Sequence, residues 1–92
     1  AVLPVSDPHL GYARAVAAGL DAAGVRTRVD GRAESVGRKI RDAELAKIPL
    51  MLVVGEREEA DGTVSVRSHA DGDLGATDPY RVPGLLVAER PD

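Results

Sequence analysis

Ile48-Pro49-Leu50-Met51-Leu52-Val53-Val54-Gly55 is the stretch on which the fold turns. Its apolar residues are consecutive rather than alternate, as expected of a central parallel strand covered on both faces, and Gly55 ends it. Before it, Asp30-Gly31-Arg32-Ala33-Glu34 reads as a loop opening a helix, roughly Ser35 to Ala46, with Val36, Ile40 and Ala43 facing inward. After it, Glu56 to Gly62 is a charged connector with room for one helical turn, closing in an Asp61-Gly62 turn. Thr63 to Ser68 then alternates, with Val64 and Val66 on one side and Thr63, Ser65 and Arg67 on the other.

Toward the amino end, Val2-Leu3-Pro4-Val5 reads as a short first strand. Ser6-Asp7-Pro8 reads as an N-cap with proline in the first helical turn, where its missing N–H costs nothing. Tyr12, Val16 and Leu20, with Ala13 and Ala17, form a helical stripe, and Gly24 stands at the left-handed cap position. Val25, Thr27 and Val29 alternate with Arg26, Arg28 and Asp30, predicting a second strand with one wet face. Toward the carboxyl end, Asp73 to Ala76 reads as a last short strand and Pro83 to Glu89 as a short final helix interrupted by Pro83-Gly84. Strands and helices alternating with short connections predict right-handed crossovers and a mostly parallel sheet between helical layers.

With 92 residues, no cysteine, no Phe or Trp and two tyrosines, the chain reads as one domain, 1–92, whose core is built from small aliphatic side chains. A chain this short buries little more than about 60% of its unfolded surface. The apolar run at 48–54 is far too short for a bilayer. No charged-then-apolar leader stands at the start, and opening on Ala1 rather than Met suggests a segment of something longer or a processed product.

Net charge is −3, yet residues 26–47 hold seven basic residues (Arg26, Arg28, Arg32, Arg38, Lys39, Arg41, Lys47) against four acidic ones, a local +3. Such a segment on an acidic body can make a footprint for phosphate, or can simply be a solvated face. His9 and His69 stand apart with no metal-ligand spacing, no serine lies in a Gly-x-Ser-x-Gly elbow, and no phosphate-cradling glycine loop follows the first strand. Glu56, Glu58 and Glu59 share one surface connector. These residues point to recognition of an anionic partner rather than to chemistry: arginines at a helix opening add donors where free N–H groups already favour anions.

Asp30-x-Arg32-x-Glu34-x-x-Gly37-x-Lys39-Ile40-Arg41, followed by Ala46-Lys47-Ile48-Pro49-x-Met51-Leu52-Val53-Val54-Gly55, resembles the C-terminal anticodon-binding domain of class II aminoacyl-tRNA synthetases. Gly62-Thr63-Val64-Ser65-Val66-Arg67-Ser68 with Asp73-Leu74-Gly75 is most similar to the threonyl branch. The resemblance implies a three-layer α/β/α fold with a five-stranded mixed, mostly parallel sheet, gripping the anticodon loop of threonine tRNA. Unpaired anticodon bases offer their Watson–Crick edges to side chains. By analogy, Glu58 accepts from the central guanine, and Arg67 donates to an adjacent base, the third position being a natural target. Arg32, Glu34, Lys39 and Arg41 match positions near the loop, where backbone or sugar contacts fix position and give salt dependence. The family has Asn after Asp-x-Arg, where this chain has Ala33.

By the same resemblance, the catalytic step belongs to another domain of a cytoplasmic, homodimeric parent enzyme using ATP and zinc, with no metal or cofactor held by this segment. Two alternatives stay open: an accessory module that binds a protein or the tRNA of a prolyl, histidyl or glycyl enzyme, and a small-molecule binder at the carboxyl edge of the sheet.

Overall fold

The apolar run becomes the second strand from one edge of the sheet, flanked by pairing partners on both sides. The computed structural model describes residues 1–25, 27–32, 34–69 and 72–82. In chain order these form β1 (Val2–Pro4), a 3-10 turn (Asp7–His9), α1 (Leu10–Ala22), α2 (Val36–Leu45), β2 (Leu50–Val54), α3 (Glu56–Asp61), β3 (Val64–Ser68), β4 (Gly72–Thr77) and a second 3-10 turn (Pro79–Arg81). The strand order is β1-β2-β3-β4.

Alternation along the strands splits the core between the two faces. Leu50, Leu52 and Val54 join Val2, Val64 and Val66 under the Ala13, Val16, Ala17 and Leu20 stripe of α1. Met51 and Leu3 lie on the opposite face beneath Ala43 of α2, with Ile40, Ile48 and Val53 packed around them. Each fully buried aliphatic side chain contributes about 1.5–3 kcal/mol of transfer free energy. Tyr12 fastens α1 to the sheet differently, its hydroxyl donating to the Thr63 carbonyl at 2.7 Å.

Two expectations about the sheet are corrected. The described residues contain four strands rather than five, because residues 27–30 make only one parallel bridge, Val2 to Val29. Val2 N donates to Arg28 O at 2.7 Å, and Asp30 N donates to Val2 O at 2.9 Å. The next outward-facing residue of β1 is Pro4, which has no N–H to continue the ladder. Its carbonyl is taken by the Lys39 ammonium at 3.0 Å. Thr27 is diverted as well, its backbone N–H donating to Asp21 Oδ1 at 3.1 Å and its hydroxyl donating to the Ala17 carbonyl at 3.2 Å.

Nor is the sheet mostly parallel: β1–β2 is parallel, whereas β2–β3 and β3–β4 are antiparallel. Only residues 55–63 link β2 to β3. A parallel crossover takes a dozen residues or more, so α3 reverses the chain instead.

Both long helices end in the same pair of carboxyl-terminal hydrogen bonds. After α1, Gly24 N donates to Asp21 O and Val25 N to Leu20 O; after α2, Lys47 N donates to Glu44 O and Ile48 N to Ala43 O. This is the Schellman arrangement, which requires a left-handed residue after the cap. Gly24 supplies it at φ 86°, and Lys47 adopts it at φ 58°. At the other end of α2, the Ser35 hydroxyl accepts from Arg38 N at 3.2 Å, the expected N-cap. Ala33 and the expected final helix from Pro83 to Glu89 lie outside the described residues.

Candidate nucleic-acid interface

On β3, alternation sends Val64 and Val66 into the α1 core and turns Ser65 and Arg67 to the opposite face. There α2 packs on β1 and β2, leaving Ser65 and Arg67 partly exposed. Glu58 reaches the same face from α3. Its Oε1 accepts from the Gly55 backbone N–H at 2.8 Å, and its Oε2 accepts from Ser65 Oγ at 3.2 Å. The carboxylate is thus fixed at both oxygens while each keeps a spare lone pair for a further donor. Ser65 stands between Glu58 and Arg67, so the two residues expected to read bases do share one surface.

Arg67 is paired across elements rather than across strands. Its register partner on β4 is Asp73, but Asp73 Oδ1 accepts from Gly75 N at 2.8 Å. The acid beside Arg67 is Glu44, in the last turn of α2, with Oε1 3.5 Å from Nε.

The remaining basic positions separate. Arg32 donates to Asp30 through Nε and Nη2, both at 2.8 Å, and to Asp42 through Nη2 at 2.9 Å. These bonds push the Arg32 pKa further up and hold the Asp30 carboxyl below its ordinary value. Lys39 is 3% exposed and directed at the Pro4 carbonyl. Arg41 and Glu34 are exposed, and Glu34 N donates to Arg32 O at 2.8 Å. The structure therefore groups Glu58 and Arg67, places Arg41 on neighbouring α2, and sets Arg32 and Lys39 beside a separate cleft of about 330 Å³ between residues 28–32 and α2.

Ser65 and Glu44 were not among the residues expected from sequence. Ser65 had a signal, since alternation put it on the face of Arg67. Glu44 had none, because its contact joins a helix to a strand. Among the described residues no cluster of three or more His, Cys, Asp or Glu could hold a metal ion, and no helix is long and apolar enough to cross a membrane.

The family model described as "Anticodon binding domain" matches residues 1–87. The chain belongs to that family of anticodon-binding domains. Its similarities fall on one branch: it is 45% identical over 85 residues to a threonine–tRNA ligase of Chlorobium limicola, covering 92% of this chain and 12% of the relative. Against the threonine–tRNA ligase of Thermus thermophilus it is 54% identical over 74 residues, covering 80% of this chain and 11% of the relative. The RNA-binding domain of threonyl-tRNA synthetase from Cryptosporidium parvum superposes with a TM-score of 0.85 at 26% identity, covering 96% of this chain and 22% of that one. This chain thus spans about an eighth of the curated relatives' length, and the sheet, helices and open face are those of a threonyl-type anticodon-binding domain.

Proposed function

We propose that this chain recognises the anticodon loop of threonine tRNA, with Glu58 and Arg67 reading base identity on the open face of β3. One observation carries the proposal: Glu58, Ser65 and Arg67 lie together on a part of the sheet that α2 leaves uncovered. A carboxylate with spare acceptor sites matches the paired N–H donors on the Watson–Crick edge of guanine, and an arginine fork matches base or phosphate acceptors. Arg41 and Glu34 are exposed and available to sugar or backbone. Arg32 acts through the Asp30–Asp42 bracket that shapes the loop, and Lys39 acts by closing β1. In the longer protein of which this would be part, a separate catalytic domain, expected to use ATP and zinc, would aminoacylate the tRNA, the whole working as a cytoplasmic homodimer.

The test is binding of the chain to stem-loop RNAs carrying a threonine anticodon or variants of it, over a range of salt. Affinity should fall with salt, fall again when the central guanine is replaced, and lose that second dependence in Glu58→Ala. Binding indifferent to the anticodon would favour an accessory role.

A further inference from the structure

Arg67 is held by one edge. Its Nε is buried and makes no aligned hydrogen bond among the described residues, yet the side chain as a whole keeps 41% of its surface. The exposure therefore belongs to the rest of the side chain. The one acid in reach of Nε is Glu44, at 3.5 Å, itself only partly exposed. Resting on the anticodon-loop reading, we propose that Glu44 is a positioning residue for RNA recognition: it holds the Arg67 guanidinium through Nε and presents the terminal nitrogens to one base of the bound loop.

A guanidinium is planar with five donors in a rigid fork, so fixing one N–H fixes the direction of the other four. An unrestrained arginine loses rotamer freedom when it binds; one already set in its plane loses less, and the saving favours the base whose acceptors match that plane. Asp73 does not compete, since its carboxylate is engaged by Gly75 N. Glu44 itself rides on α2, which Ser35 caps and the Ala43–Met51–Leu3 cluster anchors to the sheet. The support is therefore a rigid element rather than a loop.

A carboxylate beside RNA has a second, opposite effect, because it repels phosphate. The two effects have different signatures. Repulsion lowers affinity for every RNA alike, whereas positioning raises the ratio between matched and mismatched loops.

The test compares the wild-type chain with Glu44→Gln, Arg67→Ala and the double variant. Arginine Nε–H signals are followed by NMR in the free protein. Affinities are measured for stem-loops carrying the threonine anticodon and for stem-loops with the third anticodon base exchanged. In Glu44→Gln the Arg67 Nε–H should exchange faster with water, and discrimination at that base should fall about fivefold. Glu44→Gln should do nothing further when added to Arg67→Ala. An unchanged Nε–H signal, or a uniform rise in affinity for all RNAs with discrimination intact, would overturn the role of Glu44. Discrimination that survives Arg67→Ala would overturn the assignment of Arg67 itself, and the role of Glu44 with it.

Discussion

The Gly55 backbone N–H donates to Glu58 Oε1 at 2.8 Å, so the carboxylate expected to read a base is also the cap of the helix that carries it. This is half of a capping box: the side chain three residues into the turn satisfies an N–H that would otherwise be orphaned.

That coupling makes Gly55 a sensitive position. A Cβ there would stand 3.0 Å from Val5 Cγ2 and 3.3 Å from Glu58 Oε1, too close for both to stay in place. Gly55→Ala is expected to cost about 1 kcal/mol in denaturant unfolding, overpacking outweighing the entropy gained from removing a glycine. It should also weaken anticodon discrimination, because the displaced group is Glu58. Stability and stem-loop binding measured on the same variant check both effects.

Lys47 offers the opposite change. It occupies the left-handed site after α2 at φ 58°, the site that Gly24 fills after α1. A left-handed conformation costs a residue with a Cβ about 1–2 kcal/mol that glycine escapes, part of which is returned by glycine's larger loss of chain entropy. Lys47→Gly should therefore raise stability by about 0.5–1 kcal/mol, read from the denaturation midpoint at constant slope. Gly24→Lys should lower it.

Lys39 was expected at the surface and is buried against the Pro4 carbonyl. Removing the ammonium leaves that carbonyl unpaired, so Lys39→Met should lose about 1–3 kcal/mol despite its similar volume. The salt dependence of RNA binding should not change, because a buried ammonium releases no counterions when RNA arrives. A reduced salt slope in this variant would show that Lys39 reaches the RNA.

Much of this was legible in the sequence, for identifiable reasons. Continuous apolarity marked residues 50–54 as central, serine marked the start of α2, and alternation marked the two faces of β3. What was not legible depended on competition between elements. The pattern at Val25–Asp30 is that of a strand, but Pro4 cannot donate and Lys39 takes its carbonyl, so pairing stops after Val29. Helical spacing alone put Lys39 among the basic surface residues, since nothing local shows which backbone carbonyl its side chain will find. At the candidate site, Glu58 and Arg67 were visible as motif positions, while Glu44 became visible only when α2 was laid across the sheet.

Acid stability follows from the Arg32 bracket. Hydrogen bonding by Arg32 holds the folded-state pKa of Asp30 below its ordinary value of 3.8. Its contribution to stability is therefore fully present above about pH 3.8, and is lost as pH falls through the lower folded-state value. Asp30→Asn should reduce stability at neutral pH and flatten the acid limb below about pH 4. Denaturant midpoints collected from about pH 2 to pH 7 would show both.

The central claim is that Glu58 reads the middle base of a threonine anticodon. The most direct measurement is the affinity ratio between stem-loops carrying guanine and adenine at that position, for the wild-type chain and for Glu58→Gln. Glutamine keeps the size but replaces one acceptor oxygen with a donor. A two-point pairing of carboxylate with base is worth about 1–3 kcal/mol of discrimination, so the wild-type ratio should be about tenfold or more in favour of guanine and should approach one in the variant. A ratio that is the same in both proteins would contradict the account.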